Sequence, residues 1–437
     1  MRIRQSGAVI ALTLSATCAS AAVIGASVAA QSITGERIAA LPRAQQAAWR
    51  DYLARSARQM QADRALLQAE LKAAGLAAEL LPPNGSAARS MPLNRPEEWY
   101  GGAEARRIAD IIVSFQTPAG GWSKNLNLAD HERRLGERFA PNNLSAHLGP
   151  GDFDTPHDPN WNYVGTLDND ATTTELQFLA RVAAAAPKDG EAYRVASLRG
   201  LEYLLAAQFP NGGWPQVWPL EGGYHDAITL NDGAMTGTLE LLREVADGTG
   251  SFAFVPESMR ARARASVAKG IQCMLDTQIV QEGRRTVWAQ QHDALNLQPV
   301  AGRNYEPAAQ CASESAALVL FLMRLPQPSP AVVDAVHAAV AWFRGTAIHD
   351  SAYQGGADGR RLRPVPGAAP IWARFYETGT DRPVFGDRDK SIHDDVNEIS
   401  AERRNGYSWY NAGPQEALGR WAEWSLSHPP AKAAPPR

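Results

Sequence analysis

Two short acidic segments of the sequence have the residue types that bind a cation. Asp168, Asn169 and Asp170 precede one apolar helical pattern, and Asn231 and Asp232 precede another. Hard cations such as Ca²⁺ take oxygen ligands, and carboxylates drawn from two loops suit them. Helix capping is the competing interpretation, because Asp and Asn are favoured at the N-cap and acids are stabilised near a helix N-terminus. Each segment alone is explained by capping, whereas the duplicated arrangement favours a cation site.

A capping box is predicted at the first segment from Thr172 and Glu175, which lie three residues apart at the helix start. This capping box leaves Asp168 and Asn169 free to face a cleft. Asp170 has two possible roles, as a further cation ligand or as a second cap.

Basic side chains recur in the aromatic-rich loops. Arg303 lies in GRNYEP, Arg374 in IWARFYE and Arg388 in FGDRDK, and Lys124 lies earlier in GGWSKN. Arginine pairs with carboxylates through two parallel hydrogen bonds and stacks on aromatic faces. These loops therefore suit a substrate that carries carboxylates on sugar rings. For any one arginine, a surface ion pair with a nearby acid such as Asp387 is the simpler explanation.

The composition argues against several classes of function. The 437 residues carry a formal net charge of -3, which gives no sign of a basic face for nucleic acid or a membrane surface. The loop histidines His225 and His292 lack the paired spacing of a zinc site, and there is no EF-hand loop. Cys273 and Cys311 lie in apolar helical contexts, where free thiols are common, although an oxidising compartment would allow them to pair.

The elements that must position these residues are helices separated by long loops. The apolar spacing predicts helices near residues 102–116, 172–185, 190–208, 232–246, 257–277, 309–324, 329–345 and 413–425. No segment shows the sustained alternation of a β-strand. The loops between the helices are rich in Gly and Trp, and they carry the candidate functional residues.

An internal repeat indicates how the helices are arranged. An apolar helix, a Gln and a Gly-Gly-Trp turn occur at Gln116–Trp122 and again at Gln208–Trp214. A degenerate third copy is CMLDTQ followed by VWAQQHD. Repeated helical units that pack side by side predict an all-α (α/α) toroid with few or short strands and an open cleft formed by the loops at one end. An irregular helical bundle is the alternative.

Four regions differ in composition. Residues 1–31 combine a basic start, an apolar stretch and a small-residue cleavage site, which predicts a secretory signal peptide rather than a membrane anchor. Residues 32–96 form a helical lead-in and linker, residues 97–426 the toroid, and residues 427–437 a Pro- and Ala-rich tail. We therefore expect a monomeric protein that is exported to the periplasm or the cell exterior and has no membrane segment after cleavage.

Several motifs resemble those of the family 10 polysaccharide lyases, the pectate lyases of that family. They are GGWSKN, TLDNDATTTELQFLA, GGWPQ followed by ITLNDGAM, WAQQHD, GRNYEP, WARFYE and ERRNGYSWY, and they extend from about Trp99 to about Trp424. The resemblance implies an (α/α) toroid and a calcium-dependent pectate lyase. Such an enzyme cleaves α-1,4-polygalacturonate by β-elimination and leaves 4,5-unsaturated oligogalacturonides.

The same resemblance implies a role for individual residues. It implies Asp168 and Asp232 as calcium ligands and Arg303 at the position of the catalytic base. A guanidinium is normally charged, so Arg303 either accepts the proton or stabilises charge while water or hydroxide acts as the base. The motif differs at Asp170, where a small residue is expected in the family. The substrate-binding residues that the resemblance implies are Asn169, Lys124, Tyr305, Arg374 and Arg388.

Three other functions share parts of this pattern. The Gln-x₃-Gly-Gly-Trp segments also resemble the repeats of terpene cyclases, but those enzymes need an acidic proton donor in an apolar cavity. A glycoside hydrolase needs two carboxylates in complementary roles, for which Glu221 or Glu306 qualify. A non-catalytic uronate-binding protein would use the aromatics and arginines but has no need of paired Asp/Asn loops.

Overall fold

The structure is a computed structural model that describes residues 23–85, 91–128, 130–186 and 188–430. The helices in these ranges are α1 Gly35–Ala39, α2 Arg43–Ala74, α3 Ala103–Ser114, α4 Thr173–Ala185, α5 Glu191–Ala207, α6 Ala234–Asp247, α7 Glu257–Thr277, α8 Ala312–Met323, α9 Pro330–Gly345, α10 Ala401–Gly406 and α11 Gly413–Ser427. The eight helices predicted after residue 97 are confirmed, each within three residues of its predicted bounds.

The helices form two concentric rows. Helices α4, α6 and α8 pack side by side as an inner row, while α3, α5, α7 and α9 form an outer row around them. An inner helix is covered on all sides, so it must be apolar or small on every face. The segment Leu318–Leu322 of α8 accordingly has only one side chain in contact with solvent, at Leu320. This arrangement confirms the (α/α) toroid.

The repeat in the sequence corresponds to a pair of hydrogen bonds that recurs at three equivalent Gln residues. Each of the three Gln residues lies within two residues of the end of an outer helix. Its side-chain amide donates to a carbonyl in its own loop and to a carbonyl of the next outer helix. The acceptors, at 2.8–3.0 Å, are Gly120 and Ala196 for Gln116, Gly212 and Ser266 for Gln208, and Thr286 and Ala335 for Gln278. The degenerate third copy is therefore equivalent to the other two.

The tryptophan of each copy packs at the equivalent place, where an outer helix ends and its Gly-Gly-Trp or equivalent loop begins. Trp122, Trp214 and Trp288 are fully buried. Each indole N–H donates to a carbonyl in the last turns of the preceding outer helix, and the acceptors are Ile112, Leu204 and Met274 at 2.7, 2.8 and 2.6 Å. The last carbonyls of a helix lack i+4 partners, and each indole N–H supplies one of them with a short hydrogen bond at this buried junction.

Short strands connect the loops. They are β1 Val23–Ala26, β2 Ile228–Thr229, β3 Val280–Gln281, β4 Arg284–Arg285, β5 Gln291–His292, β6 Gln310–Cys311, β7 Ser351–Gln354, β8 Arg361–Pro364, β9 Trp372–Ala373, β10 Phe375–Tyr376, β11 Pro383–Gly386, β12 Ser391–His393 and β13 Tyr410–Asn411. The largest sheet has five strands in the order β1-β12-β11-β10-β6, and the other sheets are pairs. Strands of two to four residues are too short to show alternation in the sequence.

The described chain begins inside the predicted signal peptide. Residues 1–22 of that prediction lie outside the described residues, whereas β1 pairs antiparallel with β12. Residues 431–437 of the predicted tail also lie outside. Among the described helices, none combines the length and hydropathy that crossing a membrane requires. Cys273 and Cys311 are both buried free thiols and do not pair with each other.

Candidate functional site

The two acidic segments are equivalent turns at the starts of neighbouring inner helices. We call Asp168–Asp170 the first corner and Asn231–Gly233 the second corner; each is one 3₁₀ turn. Asn169 and Asp232 occupy the same position and have left-handed backbones, with φ of 54° and 51°. Asn and Asp adopt this conformation more readily than other side chains. Since α4 and α6 are adjacent, the two corners face each other.

Asp170 occupies the position that Gly233 has in the second corner. Both residues have positive φ, 61° for Asp170 and 70° for Gly233. The Asp170 carbonyl accepts hydrogen bonds from the hydroxyls of Thr173 and Thr174, at 3.1 and 3.0 Å. Burial and the neighbouring Asp168 carboxylate raise the pKa of Asp170. The small residue expected here thus corresponds to a left-handed backbone, which Asp tolerates.

The prediction that the Thr172 side chain caps α4 is wrong, whereas the Glu175 interaction of the capping box is present. The Thr172 hydroxyl accepts the backbone N–H of Trp122 at 3.0 Å and donates to the Thr166 carbonyl at 2.8 Å, so it does not cap the helix. Glu175 does interact with the backbone N–H groups of Thr172 and of Glu175 itself, and burial raises its pKa to about 7. Thr172 instead joins the first corner to the loop that contains Lys124.

The carboxylates of Asp168 and Asp232 are the centre of the site. The Lys124 ammonium pairs with one oxygen of Asp168, and the Gln216 amide donates to the other at 3.1 Å. Burial acts to raise the pKa of Asp168, but the Lys124 ammonium outweighs it and holds that pKa below its ordinary value. Burial and then the Asp168 carboxylate raise the pKa of Asp232 to about 6. Two carboxylates this close attract a further cation.

Unpartnered oxygens beside these carboxylates fit a metal ion. The side-chain oxygens Asn231 Oδ1 and Gln216 Oε1 are buried without a hydrogen-bond partner, and both residues line the same cavity as Asp168 and Asp232. Carboxylate and amide oxygens are the donors that Ca²⁺ takes. Among the described residues there is no group of three or more His, Cys, Asp or Glu side chains able to hold a metal. The donor set is therefore two carboxylates with amide oxygens.

Arg303 is oriented by a buried acid. Its guanidinium donates to Glu306 at 2.6 Å, its backbone N–H donates to the same carboxylate at 2.9 Å, and the Tyr407 hydroxyl donates to it at 2.8 Å. Burial acts to raise the pKa of Glu306, but Arg303 lowers it to about 2. Burial acts to lower the pKa of Arg303, but Glu306 holds it above its ordinary value. The Arg303 side chain is 41% exposed, so a charged guanidinium faces the cleft.

Two adjoining cavities bring the predicted residues together. The first cavity has a volume of ≈ 490 Å³, and the predicted residues that line it are Lys124, Asp168, Asn169, Asp232, Arg303 and Arg374. The second cavity has a volume of ≈ 410 Å³, and the predicted residues that line it are Tyr305 and Arg388, together with Lys124 and Arg303 again. All the residues proposed from the sequence therefore lie along one continuous cleft.

Arginines in the cleft are held by acids and by tyrosine rings. Arg374 pairs with Glu314, and its guanidinium lies 4.8 Å from the centre of the Tyr407 ring. Arg388 donates twice to Glu402, at 2.9 and 3.0 Å. Each guanidinium is thus fixed before a ligand binds, which reduces the ordering cost of binding a carboxylate.

Three arginines surround the ring of Tyr305, and one of them, Arg403, is not among the residues predicted from the sequence. Tyr305 is 4% exposed, and the guanidinium groups of Arg303, Arg388 and Arg403 lie 5.1, 5.4 and 4.3 Å from the centre of its ring. The ring is therefore surrounded by cations and offers little surface of its own. Arg403 was not singled out in the sequence, although it lies in the quoted motif ERRNGYSWY.

The residues nominated for a hydrolase do not form an acid and base pair. Glu306 is engaged by Arg303. Glu221 lines neither cavity, and burial raises the pKa of its carboxyl to about 8. Hydrolysis of a glycosidic bond needs two carboxyl groups that flank the bond. The described cleft does not present these two residues in that way.

Comparison with known proteins agrees with this site. The pectic acid lyase family matches residues 116–418. A mutant family 10 polysaccharide lyase from Cellvibrio cellulosa, in complex with trigalacturonic acid, is 32% identical with a TM-score of 0.62, and the match covers 76% of this chain and 99% of that one. A second structure of a family 10 polysaccharide lyase from the same organism has the same identity and TM-score, and the match covers 78% and 99% of the two chains. No curated protein matches this chain. The family match covers more than half of the chain and all of the site residues, so this protein belongs to the pectic acid lyase family and is a polysaccharide lyase.

Proposed function

We propose that this enzyme is a calcium-dependent pectate lyase that cleaves α-1,4-polygalacturonate by β-elimination and releases 4,5-unsaturated oligogalacturonides. The observation that carries the proposal is one cavity whose lining brings the carboxylates of Asp168 and Asp232 together with the cations Lys124, Arg303 and Arg374. A cation site beside positive side chains suits a polymer that carries one carboxylate on each sugar ring. The related enzyme in complex with trigalacturonic acid supports this substrate class.

The chemistry explains why the site needs so many cations. The proton to be removed is on C5 of galacturonate, next to the carboxylate, and its removal places negative charge on that carboxylate. A catalyst must neutralise this charge, take the proton and assist departure of the C4 oxygen. Preorganised cations in a water-poor cleft lower the barrier most where the charge develops.

In this proposal Asp168 and Asp232 hold Ca²⁺, and Asn231 Oδ1 and Gln216 Oε1 supply further oxygens to it. When bound, Ca²⁺ neutralises a uronate carboxylate. Arg374 binds a substrate carboxylate in the first cavity, and Arg388 binds another in the second. Lys124 lines both cavities and Asn169 lines the first, whereas Tyr305 contributes to substrate binding by holding the guanidinium groups of Arg303 and Arg388 beside its ring.

Arg303 is the catalytic residue in this proposal. Glu306 and Tyr407 fix the direction in which its guanidinium faces the cleft. Acting as a base requires the neutral guanidine, which Glu306 disfavours and the nearby cations favour. Acting as a charged group, Arg303 stabilises the anion while hydroxide removes the proton. An Arg303→Lys variant separates the two. A lysine base has a lower pKa and would move the ascending limb of the pH–rate profile to lower pH, whereas a lysine that acts only by its charge would leave that limb in place and lose activity at high pH as it deprotonates.

The products of polygalacturonate digestion test the proposal. Elimination yields oligomers that are lighter by one water than the corresponding hydrolysis products, and mass spectrometry distinguishes them. We expect only the lighter series at the new non-reducing ends. The matched control is Arg324→Ala, which removes an exposed arginine paired with Glu240 far from the cleft and should leave the product series unchanged. Saturated new non-reducing ends would make the protein a hydrolase, and binding without cleavage would make it a uronate-binding protein.

We also propose that the enzyme is exported after removal of residues 1–31. The residues that follow are attached to the toroid: Ser32 Oγ accepts the backbone N–H of Gly223 at 2.7 Å, and the Ile33 N–H donates to Asp226 at 3.4 Å. Cleavage at this point would remove β1 and keep these contacts. N-terminal sequencing of the exported protein checks this, and an N-terminus at Met1 would contradict it.

A further inference from the structure

The long helix α2 has two halves that pack against different parts of the protein. Its first half joins the toroid: Trp49 and Tyr52 pack on Phe209 with ring centroids 5.4 and 5.1 Å apart. Its second half packs against residues 130–164, which we call the wall segment because several of its members line the second cavity. Leu67 is the centre of a separate apolar cluster whose other members are Met60, Phe139, Ala140, Trp161 and Val164.

Ion pairs reinforce this apolar cluster. The Glu70 carboxylate accepts two hydrogen bonds from Arg133, at 2.5 and 3.2 Å, and a third from the backbone N–H of Gly136 at 3.1 Å. The Arg133 and Glu70 side chains are only 7% and 12% exposed. Breaking a buried ion pair by removing one charge is far more costly than breaking an exposed one. Glu70 therefore fixes the start of the wall segment to α2.

The end of the wall segment leads directly to the cleft. Trp161 and Val164, both in the Leu67 cluster, lie on either side of Tyr163. The Lys124 ammonium lies 3.5 Å from the centre of the Tyr163 ring. The hydroxyl of Tyr163 lies 3.1 Å from the hydroxyl of Tyr224, within hydrogen-bond distance. The position of the Tyr163 ring, and of the ammonium above it, thus depends on the packing around Leu67.

A second path leads from the same cluster to Lys124. Phe139 and Ala140 are followed by Asn143, whose amide donates to Ser123 Oγ at 3.3 Å and whose oxygen accepts from Asn125 at 3.0 Å. Ser123 and Asn125 are the two neighbours of Lys124 in the chain. The wall segment therefore contacts the side chains on either side of Lys124 in the chain and contains the ring beneath its ammonium.

We propose that the second half of α2 is a positioning element of the cleft, in which Leu67 and Glu70 act through the wall segment to hold Lys124 and Tyr163. The consequence for catalysis rests on the proposed function, because Lys124 is there a cation for the substrate carboxylate. A small displacement of such a group is enough to lower the rate by orders of magnitude. The helical lead-in therefore contributes to the catalytic rate by positioning residues of the cleft.

Matched variants on one helix test this proposal kinetically. We expect Leu67→Ala to lower kcat/KM on polygalacturonate by about 10-fold or more, and Glu70→Gln to lower it by a few-fold, at temperatures where both are folded. Leu67→Met, which keeps the volume, should restore kcat/KM to within about twofold of wild type. The control is Leu53→Ala, which removes the same atoms from the first half of α2, where Leu53 packs on the toroid core. Equal losses of kcat/KM in Leu67→Ala and Leu53→Ala would overturn the proposal.

Chemical labelling of Lys124 tests the same proposal without reference to activity. Lys124 is largely buried and paired with Asp168, so it should react slowly with an acetylating reagent, whereas the exposed Lys269 serves as an internal reference. We expect acetylation of Lys124, measured by mass spectrometry, to accelerate about fivefold or more in Leu67→Ala and to stay unchanged in Leu53→Ala. Unchanged labelling in both variants would refute the positioning role. If wild type does not cleave polygalacturonate, the proposed function fails while this labelling result still decides the role of α2.

Discussion

Glu175 gives a quantitative prediction about the pH dependence of stability. The residue lies in the first turn of α4, is almost fully buried, and burial raises the pKa of its carboxyl from 4.5 to about 7. Between these two pH values the folded protein binds more protons at this site than the unfolded chain does. Stability therefore falls as pH rises: the contribution is complete below pH 4.5 and lost above pH 7.

The magnitude follows from the size of the pKa shift. A rise of the pKa from 4.5 to about 7 corresponds to about 3 kcal/mol of unfolding free energy. Roughly a quarter of this is already lost at pH 5, because the unfolded carboxyl is then mostly ionised. From pH 5 to pH 9, Glu175 should therefore lower the unfolding free energy by about 2–3 kcal/mol.

The Glu175→Gln variant isolates this contribution. Denaturant unfolding is followed by circular dichroism at pH 5 and pH 9 in the presence of EDTA. The decrease in unfolding free energy between the two pH values should be smaller for Glu175→Gln than for wild type, by about 2–3 kcal/mol. Glu423→Gln, which changes an exposed glutamate on α11, should behave as wild type. The comparison between variants matters because burial also raises the pKa of Asp63 and Asp226 to about 6. Parallel pH dependence in wild type and Glu175→Gln would refute the reasoning.

Three further predictions concern the site and the repeat. Asp232→Asn should weaken calcium binding about 10-fold or more in isothermal titration calorimetry, since it removes one of two carboxylates; unchanged affinity would move the metal elsewhere. Arg303→Ala should reduce kcat by about 10³-fold while trigalacturonate binding falls only a few-fold, whereas wild-type turnover would remove Arg303 from the mechanism. Gln278→Ala should lower the unfolding free energy by about 1–3 kcal/mol, because it removes two buried hydrogen bonds. An unfolding free energy equal to that of wild type would contradict the role described for Gln278 in the third repeat.

The helices could be predicted well from the sequence because their apolar spacing is sustained over many residues. The third repeat was recognised only as degenerate, yet Gln278 makes the same two hydrogen bonds as Gln116 and Gln208. These two hydrogen bonds join one side-chain amide to two backbone carbonyls. Every residue has a backbone carbonyl, so the sequence does not show which ones accept the bonds. Few or short strands are expected from the sequence, and the structure has them, but their positions could not be predicted, since pairing over two residues needs no alternation.

The candidate site was predicted in its residue types but not in its internal contacts. The residues that the motifs identify line two cavities that share Lys124 and Arg303, and their roles stay predictions. The role of Thr172 was mistaken because its backbone has a φ of 67°, which the sequence gives no reason to expect of a threonine. Glu306 was considered only as a hydrolase acid, since its partnership with Arg303 depends on how the loop turns. The contribution of α2 could not be seen at all, because it arises from packing between residues about 70 to 100 positions apart.

The central claim is that cleavage occurs by calcium-dependent elimination, and ultraviolet absorbance of the unsaturated uronate tests it most directly. Polygalacturonate is incubated with the enzyme alone, with EDTA, and with EDTA followed by excess Ca²⁺. We predict that absorbance rises with the enzyme alone, stops with EDTA and resumes when Ca²⁺ is restored. New reducing ends without this absorbance would contradict elimination, and an undiminished rise in EDTA would contradict the role of calcium.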